Sequence, residues 1–538
     1  MGTSPAAQID PLTSNVAGRR REPPSFNHGF STPRAAHTIS KMPQPDHDEP
    51  LLPSSSASSE PHEDDGSETG VTRSAVAAAL INTLKSVLGT GLLAMPWAFL
   101  QLRTHLEMAI ILCIILGVWC CYTMVLIHEC AVLAWPAARG YTELVVTALG
   151  WRGGVLCAVN LVTHQILCVA SYLVFVGDNL QDVLGGTAAQ YMAAAAPPII
   201  LLCWLRDVRA LSPASAVGTA ALLVALVLVV HEGCTLHGAT MPDSTTIAGR
   251  MLRMARDRRH TRPPPPLVVD PSTAADAGIP GTSSLAALGA FMGISTFTFC
   301  GHSEVVPVVL SFGATHPKHA PYKWVVLVMA CIAIPSVLGF SISSMECFGE
   351  TARKNILLSV HSKVAAALKL LMAAAVLCTC PLKMFPAFEV TEAALGLEVQ
   401  PKTVIVTDAE ESRAEAQEAV SPRAVGAATT AASSARRGAI RNAQRTALVL
   451  LAVILALACP DFGFLTAFVG AFCNSLICFV LPPLMYVNLL WNGAPKERGL
   501  QGRALANLVA HAVLTAVGTF VLVGGTASVL KNKFAPGA

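Results

Sequence analysis

Eleven stretches of mostly apolar residues follow one another along this chain, roughly 75–100, 107–132, 154–180, 190–205, 213–232, 284–312, 324–347, 358–380, 445–460, 462–491 and 504–530. Crossing ~30 Å of hydrocarbon takes ~20 residues of helix. A spanning segment must satisfy its own backbone, so runs of this kind predict a bundle of transmembrane helices. The expected fold is therefore an all-α membrane protein with eleven spans. Charge supports the same reading: Asp, Glu, Lys and Arg make up only 13% of the 538 residues, about half the usual share of a soluble domain. That excludes a soluble enzyme. A net charge of +3 gives no argument for nucleic acid. The sixteen cysteines lie mostly inside apolar runs, show no paired metal spacing, and read as small packing residues. No metal and no cofactor are expected.

Three polar pieces interrupt the pattern. Residues 1–72 are rich in Ser, Pro, His and acids and have too little apolar content to bury a core, which predicts a disordered arm. The pieces 233–283 and 386–443 are expected to be solvent-exposed loops. No charged segment followed by a short apolar core and a cleavage site precedes the first span, so that span is expected to be its own insertion signal. With the N-terminus in the cytosol, the cytosolic loops carry Arg139, Arg152, Arg206, Arg209, Lys318, Lys323 and Arg503, against Arg103, Arg353 and Lys354 in short loops opposite. The positive-inside rule favours that orientation, with the basic run Arg250–Arg262 as its exception. Spans one to five (73–232) and six to ten (284–491) form two halves, and 504–530 is an extra helix.

Two spans are wrong for plain helices. The first contains Gly89, Gly91 and Pro96; the sixth contains Gly301, His302, Glu304 and Pro307. Glycine weakens a helix, and proline removes a donor and clashes with the preceding turn. In a bilayer, freed backbone groups are tolerated only where protein buries them or a cavity bathes them. Close helix packing by small residues is the ordinary role for Gly89 and Gly91. The interrupted spans are five apart, however, and corresponding broken helices in two halves mark the binding site of inverted-repeat transporters. A half-helix starting near Gly91 aims N–H groups at an anion, and the C-terminal ends before each break offer carbonyls to a cation. A zwitterion has both charges.

Four motifs carry a family resemblance: Asn82–Phe99 (NTLKSVLGTGLLAMPWAF), Phe299–Val309 (FCGHSEVVPVV), Thr379–Glu389 (TCPLKMFPAFE) and Ala458–Ala471 (ACPDFGFLTAFVGA). They resemble, in order, segments of the amino acid/auxin permease family. The first is similar to that family's vacuolar and proton-coupled members, the second to its sodium-coupled neutral amino acid transporters. The resemblance implies a LeuT-like 5+5 inverted repeat plus one helix, and amino acid transport. It implies that Gly89, Thr90 and Gly91 take the substrate carboxylate through backbone N–H groups. Carbonyls near Thr298, Phe299 and Cys300 would take the ammonium.

The sodium-coupled pattern is broken at one position. In that branch a sodium-binding Asn lies four residues before the first glycine of the break, where this chain has Lys85; the partner Thr on the eighth span survives as Thr379. Lys85 shares a helix face with Gly89, and an ionisable group at membrane depth is functional by default; snorkelling toward an interface is the other reading of this residue. The expectation is a sodium-independent carrier with the proton as coupled ion and Glu304 or His302 as candidate proton carriers. At Glu304 a structural acceptor for helix N–H groups or for Lys85 is the equal alternative; sodium coupling is the alternative for the ion. Asn82 is a pathway candidate. Asn160, His164 and Ser171 form a polar stripe that either lines the pathway or links helices by hydrogen bonds. Asp461 is expected to cap a helix, and His128 and Glu129 to sit at the membrane interface. Asp46–Leu52 (DHDEPLL) looks like an acidic dileucine signal with His where the acid usually stands, and a solvated acidic run is its ordinary reading; a vacuolar, lysosomal or other endomembrane location is expected, with the plasma membrane open. A sensing receptor on a transporter scaffold, its arm engaging a protein partner, is the second functional class. Polar residues gathered at two breaks argue against a channel, and the lack of a nucleophile, base and orienter set argues against an enzyme.

Overall fold

The computed structural model describes residues 71–138, 140–205, 212–236, 284–314, 316–397, 423–493 and 503–534. The Asp46–Leu52 motif, the basic run Arg250–Arg262, most of the 233–283 piece and the middle of the 386–443 piece lie outside them. All the described regular structure is helical. Among the described residues, nine helices are long and apolar enough to cross a membrane, and two shorter apolar helices, Ala188–Cys203 and Val217–Gly233, stand where the fourth and fifth spans were expected.

In chain order the first span is α1 (Arg73–Val87), a 3₁₀ turn (Thr90–Ala94) and α2 (Met95–Gln101); the second is α3 (Leu106–Leu133). Span three is α4 (Tyr141–Leu184), span four the pair α5 (Ala188–Ala194) and α6 (Ala196–Cys203), and span five α7 (Ser212–Leu236). Span six is α8 (Ser284–Phe299), a 3₁₀ turn (His302–Glu304) and α9 (Val305–Ser311). Then follow α10 (Tyr322–Phe348), α11 (Lys363–Ala394), α12 (Arg423–Ala458), α13 (Phe462–Val469) continuing through π-helical turns into α14 (Leu481–Gly493), and α15 (Arg503–Phe534). Side-chain caps set several starts: Thr72 accepts from the Ala75 N–H, Ser362 from Ala365 and Asp461 from Phe464, each meeting a donor that a helix start leaves over.

Three boundaries differ from expectation. Span three is preceded by a short helix from Tyr141, joined to the apolar run at Gly150, whose non-helical φ of 72° kinks the chain between the two. Span eight runs through Pro381 and Pro386 to Ala394; tertiary contacts in a membrane bundle can re-satisfy what a proline frees. Span nine starts at Arg423. The expected 386–443 loop is thus helical at both ends.

Contacts at the two ends of the bundle fix the directions of the two broken spans. At one end Lys323 pairs with Glu129, the His128 Nε2–H donates to the Pro317 carbonyl at 3.0 Å, and Arg445 pairs with Glu392 at 2.7 Å. At the other end Arg103 pairs with Glu350, and Lys354 and Lys533 both pair with Asp461 at 2.9 Å. Span one runs from the first end to the second. Span six, whose Leu285 carbonyl accepts from Ser528 at 2.6 Å near the second end, runs back. The two broken spans are antiparallel, as an inverted repeat requires. Where span six meets span ten, a Cβ on Gly293 or on Gly470 would overlap the opposing backbone, so the two helices approach main chain to main chain. Phe99 of α2 packs edge-on against Phe291 of α8 at 5.1 Å.

Candidate functional site

Both breaks form where glycine and proline occur together. After α1, Leu88 leaves helical geometry (φ −85°, ψ 68°), Gly89 is extended (φ −111°, ψ −164°), and the 3₁₀ turn starting at Thr90 has no side-chain cap. Its leading N–H groups therefore have no intrahelical acceptor. In span six the chain departs from helix at Cys300 and Gly301 (φ −140°, ψ 19°) and resumes through His302–Glu304.

A cavity of about 430 Å³ ends at the first break. Asn82, Lys85, Ser86, Gly89 and Thr90 supply one wall and Glu304, Pro307 and Ser311 the facing one. Gly218 and Thr219 of α7, Tyr172 of α4, and Thr379 and Lys383 of α11 close it. Spans one, three, five, six and eight thus meet at one chamber. The Lys383 ammonium lies 3.7 Å from a Glu304 carboxylate oxygen, and Lys85 faces the same space. The Thr379 hydroxyl donates to the Ala375 carbonyl of its own helix at 2.7 Å, which leaves its oxygen free to accept.

Of the residues singled out in the sequence, Asn82, Lys85, Gly89, Thr90, Glu304 and Thr379 are brought together here. Others are not. Gly91 packs: a Cβ there would stand 2.6 Å from Phe297 Cδ1 and 2.9 Å from Thr298 Oγ1, whereas at Gly89 nothing lies within 4 Å. Small-residue packing therefore accounts for the second glycine and not for the first. Thr298 is buried with its hydroxyl donating to the Ile294 carbonyl at 2.8 Å, and Phe299 is buried in the core; neither they nor Cys300 line the chamber. His302 is wholly buried between Thr123 and Cys478. Asn160 donates to the Cys473 carbonyl at 3.1 Å and His164 contacts Cys168 at 3.4 Å. For Asn160 this is the helix-linking alternative. Asp461 caps α13 as expected, and Glu129 pairs with Lys323.

Sequence reasoning missed Lys383 and Tyr172. Lys383 sits in the Thr379–Glu389 motif, just past the end expected for span eight; the uninterrupted α11 places it beside the chamber. Asp461, outside the spans, is shifted by its neighbours. Burial alone would raise its carboxyl, but Lys354, the Phe464 N–H and Lys533 outweigh burial and hold it below the ordinary carboxylate range.

An antiparallel pair of broken helices around a partly charged chamber defines a multi-pass membrane protein of the inverted-repeat kind. The family profile described as transmembrane amino acid transporter protein matches residues 72–528, and the chain belongs to that family. It is 22% identical over 423 residues to Amino acid transporter AVT1B of Arabidopsis thaliana, covering 77% of this chain and 64% of that relative. The chain therefore spans a little under two thirds of that protein's length. It is also 22% identical over 452 residues to Amino acid transporter AVT1H of the same plant, covering 82% of this chain and 88% of the relative. Among solved structures, MhsT in complex with L-phenylalanine matches at a TM-score of 0.40 and 12% identity, covering 86% of this chain and 100% of that one.

Proposed function

We propose that the protein is a secondary active amino acid transporter that works by alternating access, needs no sodium and is driven by a proton gradient. The observation that carries this reading is the single chamber that joins the uncapped start at Gly89–Thr90 to the charged group Lys85, Glu304 and Lys383. The substrate carboxylate docks at the free N–H groups where the Thr90–Ala94 turn begins. Its ammonium faces the Glu304 side of the chamber. A protein ammonium at Lys85, with that of Lys383 nearby, supplies the positive charge that sodium provides in sodium-coupled relatives of the sequence pattern, and repels sodium from the same space. Glu304 is the one carboxylate among the described chamber residues and takes up the travelling proton; His302 does not face that space. An acidic compartment on the far side of an endomembrane would supply such a gradient.

Uptake into proteoliposomes in sodium-free buffer, with and without an imposed pH gradient, tests this. A panel of amino acids run at acidic and neutral pH should show flux that the gradient stimulates and sodium does not. Undiminished sodium dependence overturns the coupling; substrate binding without flux overturns transport and makes the protein a receptor.

A further inference from the structure

Behind the chamber, away from its lining, three side chains from distant parts of the sequence converge: Cys300 and His302 at the break of span six, and Cys478 in the π-helical turn Leu476–Val480 of span ten. Their ligating atoms all lie within 4.8 Å of one another. The Cys300 and Cys478 sulfurs are 3.3 Å apart, and Cys478 Sγ is 3.1 Å from His302 Nδ1. The Cys120 thiol of α3 also contacts Cys478.

The hydrogen bonds fix the tautomer of the imidazole. The Thr123 hydroxyl sits 3.0 Å from the carbonyls of Trp119 and Cys120, the acceptors available to it within α3. Its proton is committed there, so at 2.8 Å its oxygen accepts from His302 Nε2–H. That leaves the Nδ1 lone pair pointing at the two sulfurs. A histidine that donates one ring N–H to a second group while presenting the other nitrogen to soft donors has the arrangement of a metal-ligating imidazole. Two sulfurs and one imidazole nitrogen suit a thiophilic d¹⁰ ion in a tetrahedral site with one open position. Both Cys300 and Cys478 sit on non-α-helical backbone, which the bundle holds: Tyr141 donates to the Ile477 carbonyl at 3.0 Å, and Trp119 stacks on Phe479 at 4.4 Å. Irregular turns inside membrane helices recur where function requires them.

We propose that Cys300, His302 and Cys478 form a binding site for one thiophilic d¹⁰ metal ion, Zn²⁺ or Cu⁺. On binding, each cysteine thiol releases its proton to solvent and ligates as thiolate. His302 stays neutral, ligating through Nδ1 with Nε2–H held by Thr123. The ion ties the break of span six to the π turn of span ten, and Cys300, half-buried, is the point of entry.

The test uses the full chain purified in detergent, reduced and stripped with chelator, then incubated with Zn²⁺ or with Cu⁺ under reductant and desalted. Bound metal is counted by mass spectrometry, and Co²⁺ serves as a spectroscopic probe. The expected result is one retained ion per chain, with thiolate-to-cobalt charge-transfer absorption that Cys300→Ser and Cys478→Ser each abolish. Cys331→Ser, which alters an exposed cysteine elsewhere, should keep it. Greater retention of Zn²⁺ than Cu⁺, or the reverse, decides which ion the site prefers. Metal retained equally by the Cys300→Ser/Cys478→Ser protein, or a cobalt spectrum without thiolate bands, overturns the proposal. So does a thiol count showing that the two cysteines pair as a disulfide and retain no metal. None of these readouts depends on transport, so the site and the proposed function can fail separately.

Discussion

Gly89 and Gly91 stand on either side of Thr90 and do different things. Adding a methyl at Gly91 drives it into the Phe297 ring and Thr298 hydroxyl, and overpacking of this kind costs about 1–3 kcal/mol. Gly91→Ala should therefore lower the melting temperature and the yield of folded protein in detergent. Gly89→Ala meets no atom within 4 Å at a φ of −111° that alanine accepts. It should fold and melt like the parent but weaken substrate affinity, because its methyl enters the chamber beside the docking N–H groups. A Gly91 variant as stable as the parent would contradict the packing account. At Glu304, replacement by Gln removes the acid while keeping its shape. Stimulation of uptake by a pH gradient should disappear, while exchange of labelled for unlabelled substrate, which needs no net proton movement, continues. The residues at the first break were legible because glycine and proline close together in an apolar run weaken the helix that the run otherwise favours. Lys383 and the Cys300–His302–Cys478 cluster were not. A lysine near an apparent helix end reads as interfacial, and three ligands 178 positions apart at the widest carry no spacing signal.

Among the helices, the spans themselves follow from apolar length, and the errors at spans eight and nine share one cause. Proline and polar residues are read as terminators, whereas α11 continues past Pro381 and Pro386 and α12 begins well before its apolar run. The start of α13 shows how little sequence is needed when one side chain does several jobs. Asp461 caps the helix through Oδ1 at 3.0 Å and binds two ammonium groups through Oδ2 at 2.9 Å. Losing such a cap costs about 1 kcal/mol. Asp461→Asn keeps the acceptor and loses the ion pairs, so it should be destabilised less than Asp461→Ala. The pH dependence has a definite sign. The folded-state carboxyl is held low, so its stabilising contribution is complete above the ordinary carboxylate range near ~4. It fades as pH falls through the lowered folded value. Melting curves of parent and Asp461→Asn should differ at neutral pH and converge in acid; a gap that persists unchanged at low pH would exclude the ion pairs as its source.

Taken as a whole, the bundle is asymmetric across its mid-plane. The chamber residues Asn82, Lys85, Pro307, Ser311, Gly218 and Thr219 lie between the helix breaks and the end that carries the Lys323–Glu129 pair. Beyond the breaks toward the other end, Leu92, Leu93, Phe99 and Phe291 are wholly buried and the Lys354–Asp461–Lys533 group ties span nine's exit to α15. For the alternating access proposed above, this arrangement corresponds to the state whose path is shut on the Asp461 side. The inverted repeat supplies the other state if the broken pair tilts against the rest of the bundle. Cysteine labelling distinguishes the two faces. In a background lacking exposed Cys331, Ser311→Cys should react with a membrane-impermeant maleimide from the side that bears Arg73, and transported substrate should change its rate. Leu93→Cys should resist the reagent from the opposite side until substrate or a proton gradient is applied. Equal, substrate-insensitive labelling of Leu93→Cys from the Asp461 side would mean that the barrier built from these buried side chains does not close the path, and a carrier without a closed side cannot hold a gradient.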